Sequence, residues 1–122
     1  MTHYLGLRTA SYAAPDLDAA KAWYIEVLGK APYFDQPFYV GFNVAGFELG
    51  LVPDAKPGVD GGVAYWGVGD ARKEYARLLG LGAQSLHEPQ DVGEGIITAI
   101  VRDPFGNAFG VIENPHFPNT VG

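Results

Sequence analysis

The feature that most constrains the fold is an internal repeat. Asp16-Leu-Asp-Ala-Ala-Lys-Ala-Trp-Tyr24-Ile-Glu-Val-Leu28-Gly29 reads as a helix that stops at glycine. Asp70-Ala-Arg-Lys-Glu-Tyr75-Ala-Arg-Leu-Leu79-Gly80 reads the same way. Tyr24, Leu28 and Gly29 return as Tyr75, Leu79 and Gly80, each 51 residues further on. Two copies of one α/β unit must bury equivalent faces, and a cleft between them would carry the function on its lining.

The elements around each helix follow the same order. Leu5 to Ala13 reads as a first strand, and Pro15-Asp16 opens the first helix, with Asp16 placed to accept from free N–H groups of the first turn. Leu17, Ala20, Tyr24, Val27 and Leu28 recur at helical spacing and predict its buried face. Strands are expected at Tyr33–Asp35, Phe38–Ala45 and Phe47–Pro53, the last two joined by a tight turn at Ala45-Gly46. Asp54 to Gly62 is rich in Gly, Pro and Asp and reads as a linker. Beyond it come a strand at Val63–Val68, a helix at Ala71–Leu79 that buries Ala71, Tyr75, Leu78 and Leu79, and strands at Ala83–Glu88, Ile96–Arg102 and Ala108–Glu113. Asp103-Pro-Phe-Gly106-Asn carries proline where a turn fixes φ and glycine where the chain goes left-handed, a hairpin signal. The expectation is one α+β domain over 1–122. It contains module one at about 1–53, a linker at 54–62 and module two at about 63–117. Two paired βαβββ modules would form a mixed, half-open, barrel-like cleft with one helix per module outside.

With 48% hydrophobic residues, 122 residues suffice for a core. The chain has no cysteine, which removes disulfides, thiolate ligands and a cysteine nucleophile. A net charge of −6 argues against nucleic acid, whose phosphates call for clustered Lys and Arg. No apolar run approaches the roughly 20 residues that span a bilayer, and no basic-then-apolar leader opens the chain. A cytoplasmic protein that does not engage membranes is expected. Gly-x-Ser-x-Gly, His-Glu-x-x-His and phosphate-loop motifs are absent. His3, His87 and His116 are scattered, and His87 and Glu88, as strand neighbours, are expected on opposite faces.

Asp-Leu before Trp23-Tyr24 and Leu28-Gly29, together with Asp103-Pro-Phe-Gly-Asn and Gly110-Val-Ile-Glu-Asn-Pro115, resembles the vicinal oxygen chelate superfamily from about Leu5 to Phe117. That group contains glyoxalase I, extradiol dioxygenases, and fosfomycin- and bleomycin-resistance proteins. The resemblance implies metal-ligand positions on the first and last strands of each module. They fall on Thr9, Glu48 or Gly50, Val63 and Gly110, where only Glu48 is a strong ligand. No cofactor is therefore expected, a divalent metal being the alternative.

Glu48 shares parity with Gly50 and Val52, and either lines the cleft or sits as a wet rim carboxylate. Gly50 and Gly110 are expected to widen the cleft. Alternation sends Phe38, Val40 and Phe42 one way and Tyr39 the other, leaving open which side faces the helix. Tyr65 shares parity with Val63. The expected ligand-binding set is Thr9, Phe38, Phe42, Glu48, Gly50, Val63, Tyr65 and Gly110, with Glu48 the one catalytic candidate. The resemblance then implies a metal-free small-molecule binder that sequesters or carries an aromatic or cationic compound, as a homodimer by family analogy. The alternatives are a metal-dependent glyoxalase-like lyase, isomerase or dioxygenase, or a metal-free enzyme with Glu48 as general base.

Overall fold

The computed structural model describes residues 7–59 and 63–116. Packing divides the chain into two compact units, one ending at Pro57 and the next beginning at Gly58, within the Gly/Pro/Asp-rich stretch. Each unit is a βαβββ module with its own four-stranded mixed sheet and one helix, an α+β architecture.

The first unit comprises β1 (Thr9–Ala13), α1 (Leu17–Leu28), β2 (Phe34–Gln36), β3 (Tyr39–Val44) and β4 (Phe47–Val52). Its sheet order is β1-β4-β3-β2, with β1 parallel to β4 and the other pairs antiparallel. Asp16 caps α1 by accepting from the Ala19 amide at 3.2 Å, and Gly29 ends it at φ 71°. Register then sorts the side chains. Thr9 and Asn43 both lie beside Glu48, and Gly41 lies between Phe34 and Gly50. Cross-strand neighbours share a face, so Thr9, Phe34, Tyr39, Gly41, Glu48 and Gly50 belong to one side. Val40, Phe42, Leu49 and Leu51 belong to the other and, with Ala20 and Tyr24 of α1, are buried. The Lys21–Asp35 ion pair at 3.1 Å ties α1 to β2 on that helix side.

The second unit comprises β5 (Tyr65–Gly67), α2 (Ala71–Gly80), β6 (Gln84–Asp91), β7 (Ile97–Arg102) and β8 (Ala108–Glu113). The order β5-β8-β7-β6, with β5 parallel to β8, repeats the first sheet. Leu78 of α2 and Ala99, Val101, Phe109 and Val111 of the sheet make its core. Asp103 is buried and locks the β7–β8 turn: Oδ1 accepts from the Phe105 and Asn107 amides at 2.9 and 2.8 Å, and Oδ2 accepts from Asn107 Nδ2 at 3.0 Å. This bonding lets a carboxylate stay buried where an unpartnered one would be costly.

Several local expectations are corrected. Leu7 and Arg8, expected within the first strand, precede β1, which begins at Thr9; Leu5, residue 6 and His3 lie outside the described residues. Phe38 is in the β2–β3 turn, and Val63 precedes the short strand β5. The second helix ends at Gly80 without the left-handed glycine cap that Gly29 gives the first. Gly80 stays helical, and Gly82 takes the left-handed conformation, at φ 104°. Leu79, expected on the buried face, is exposed, and Tyr75 is half-buried.

Candidate functional site

On the face of the first sheet opposite α1, one carboxylate gathers three hydroxyls. Tyr33 donates a short hydrogen bond to Glu48 Oε2, and Tyr39 donates to Oε1 at 2.7 Å. The Thr9 hydroxyl is in hydrogen-bonding reach of both Glu48 and Tyr39. Partial burial by itself pushes the Glu48 carboxyl up. The bonds from Tyr33, Tyr39 and Thr9 outweigh it and hold the group below its ordinary value, so it is ionised at neutral pH. The partners respond in the opposite sense. Tyr33 is pushed up chiefly by its bond to Glu48, and Tyr39 by burial and then by Glu48, so both keep their protons.

Glycines make room for this cluster. A Cβ on Gly41 would sit 2.6 Å from Glu48 Oε2 and 3.2 Å from Tyr33 Cε1. A Cβ on Gly50 would sit 2.0 Å from the Tyr39 hydroxyl oxygen, because the tyrosine ring lies over that glycine. Gly50 therefore does not widen an opening, as expected from sequence; its missing side chain is replaced by a neighbour's ring. Gly110 behaves alike, with Tyr65 Cδ1 2.7 Å from where its Cβ would be.

Aromatic edges continue from the carboxylate. Phe34 has its ring centroid 6.0 Å from that of Tyr39 and 6.0 Å from that of Phe38. Tyr33 and Phe38 are 63% and 66% exposed, far more than a core would leave them. Thr9, Glu48 and Gly50 are thus brought together, with Phe38 at the end of an aromatic row. Phe42 is not among them. It is fully buried on the helix side of the sheet, because its parity is that of Val40 and not of Tyr39. Tyr65 and Gly110 pair across β5 and β8 in the second unit, and Val63 is half-buried just ahead of them.

Sequence reasoning passed over Tyr33 and Tyr39 as site residues. The signal was present in the opposite parity of Tyr39 to Phe42 and in Gly41 and Gly50 lying side by side. It also set aside His87 and Glu88, expected on opposite faces. Both border a pocket of about 170 Å³ with Tyr65, Gln90, Thr98 and Ile100. Irregularities in the β6–β7 register on either side of His87 break the strict alternation.

The donor chemistry bears on the metal that the resemblance implies. Glu48 is engaged by three hydroxyls whose tyrosine members hold their protons tightly. Gly110 lies under a ring, and Val63 offers hydrocarbon. Among the described residues no three His, Asp or Glu side chains gather. This set does not fit a divalent ion, which calls for several strong N or O ligands.

The βαβββ repeat and the sheet-face site define a class, and comparison supplies its name. Residues 3–111 match the model of the Glyoxalase/Bleomycin resistance protein/Dioxygenase superfamily, and the chain belongs to that family. Among solved structures it resembles lactoylglutathione lyase from Agrobacterium tumefaciens at 25% identity and TM-score 0.74, covering 94% of this chain and 99% of that one. A glyoxalase-related enzyme from Fulvimarina pelagi matches at 22% and 0.76, covering 94% and 92%. TioX from Micromonospora sp. ML1 matches at 20% and 0.66, covering 88% and 98%. No curated protein matches the chain. No described helix is long and apolar enough to cross a membrane.

Proposed function

We propose that this member of the superfamily binds a small aromatic or cationic molecule without a metal and does not transform it. The observation that carries the reading is the Glu48 carboxylate, held ionised by Tyr33, Tyr39 and Thr9 beside exposed aromatic rings. An anion beside π faces attracts organic cations by Coulomb and cation–π forces together, and a net charge of −6 favours their approach. The same hydroxyls disfavour Glu48 as a general base. A carboxylate whose proton affinity is lowered by hydrogen bonds takes up a proton less readily than a free one. The donor set likewise weighs against metal-assisted lyase or dioxygenase chemistry. Family analogy adds a cytoplasmic homodimer, for which sedimentation gives the test of assembly.

Fluorescence titration with thioflavin T, an aromatic cation, tests the reading. The expected result is saturable binding that EDTA leaves unchanged and that Glu48→Ala weakens. Tyr65→Ala asks whether the second unit takes part. Absent binding, or equal binding in Glu48→Ala, contradicts the proposal.

A further inference from the structure

We infer that the open face of the first sheet selects cations that carry no N–H donors, quaternary ammonium or delocalised aromatic cations, over guanidinium and primary ammonium groups. The inference rests on the proposed cation-binding role of Glu48 and specifies its ligand class. An ionised carboxylate has roughly four acceptor positions. Tyr33 takes one on Oε2, Tyr39 takes one on Oε1, and Thr9 directs a third hydroxyl at the group. A guanidinium recognises a carboxylate through a bidentate fork that needs both oxygens on one edge. With three of about four positions engaged, only one is left, so a fork that needs two must displace one of the hydroxyls. Gly41 and Gly50 provide the space in which the tyrosine rings lie, so the hydroxyls are built into the site.

A cation without N–H groups needs no acceptor position. It is attracted by the full carboxylate charge and by ring faces, and it loses little hydration on approach. Phe34, next to Tyr39, and Phe38, next to Phe34, extend the ring surface away from the carboxylate and suit the aromatic body of such a ligand. Phe34 and Phe38 lack hydroxyl groups, so the outer part of this surface is apolar. Ligands with a compact charge and a flat apolar body therefore match it better than polyamines do.

Calorimetric titration with benzyltrimethylammonium, benzylammonium and benzylguanidinium compares one body with three head groups. Benzyltrimethylammonium should bind at least about fivefold more tightly than either of the others. Glu48→Gln should weaken it by a similar factor, with circular dichroism reporting that the variant is folded. Tyr33→Phe is the decisive variant, because it returns an acceptor position to Oε2 while keeping the ring. It should raise benzylguanidinium affinity relative to benzyltrimethylammonium. If benzylguanidinium binds more tightly to the wild type and that binding is lost in Glu48→Gln, the selectivity inference is overturned and the cation-binding role stands. Equal affinity of the wild type and Glu48→Gln for all three probes overturns both.

Discussion

Replacing Gly50 with alanine should destabilise the protein through Tyr39 and nothing else. The new Cβ would lie 2.0 Å from the Tyr39 hydroxyl oxygen, 2.7 Å from Cζ and 3.0 Å from Cε1, so the ring must leave the strand surface. Its 2.7 Å hydrogen bond to Glu48 leaves with it. A bond to a charged acceptor contributes about 1.5–3 kcal/mol when buried, and partial exposure reduces this one to about 1 kcal/mol. Displacing a packed ring adds about 1 kcal/mol. Against these, alanine restricts the unfolded chain and favours the folded strand by about 0.5–1 kcal/mol. The net expectation is a loss of about 1–1.5 kcal/mol, a fall in Tm of about 3–8 °C. The assay is urea unfolding of the wild type, Gly50→Ala, Tyr39→Ala and the double variant. With the ring gone, alanine at 50 should be stabilising by about 0.5–1 kcal/mol, giving a coupling of about 1.5–2.5 kcal/mol. An equal cost of Gly50→Ala in both backgrounds would refute the reasoning.

Other consequences follow from the same sheet. Phe42→Ala should cost about 3–5 kcal/mol by urea unfolding, since Phe42 is fully buried. Phe38→Ala, 66% exposed, should stay within about 0.5 kcal/mol of the wild type while weakening cation binding. Because the folded state lowers the Glu48 pKa, Glu48 supports stability above the unfolded value of about 4.5, and the support is lost as pH falls through the folded value. Unfolding below pH 4.5 in wild type and Glu48→Gln should show this slope diminished in the variant. Tyr33 and Tyr39 are raised, so their support is present below about pH 10 and lost as pH rises through their folded values. Absorbance at alkaline pH should show late-ionising tyrosines, fewer of them in Tyr33→Phe and in Tyr39→Phe.

The repeat carried most of the fold into the sequence, because helix caps and hairpin turns are set by local chemistry. Asp16, Gly29 and the Asp103 turn perform the roles their residue types imply. Gly80 fails the analogy because it is the last helical residue and not a left-handed cap: Leu81 caps the helix, and the chain turns left-handed only at Gly82. The site was legible only in part. Parity places Glu48 beside Gly50, but it gives no direction until one face is known to meet the helix. That missing sign put Phe42 among the ligand-binding candidates and left Tyr39 out. Tyr33 lies just before β2, and its hydroxyl reaches Glu48 across β3 by passing over Gly41, a contact set by side-chain reach and invisible to strand alternation. At His87 the register irregularities defeat alternation outright.

The most direct measurement follows the Glu48 carboxyl carbon by NMR in protein carrying ¹³C-labelled glutamate, with EDTA present. It titrates with acid in the free protein and again with saturating benzyltrimethylammonium. An ionised anchor for an organic cation should titrate below 4.5 when free and lower still with the cation bound, by linkage. A Glu48 signal that ignores the cation, but shifts on adding one equivalent of a divalent metal to EDTA-free protein, would contradict the account.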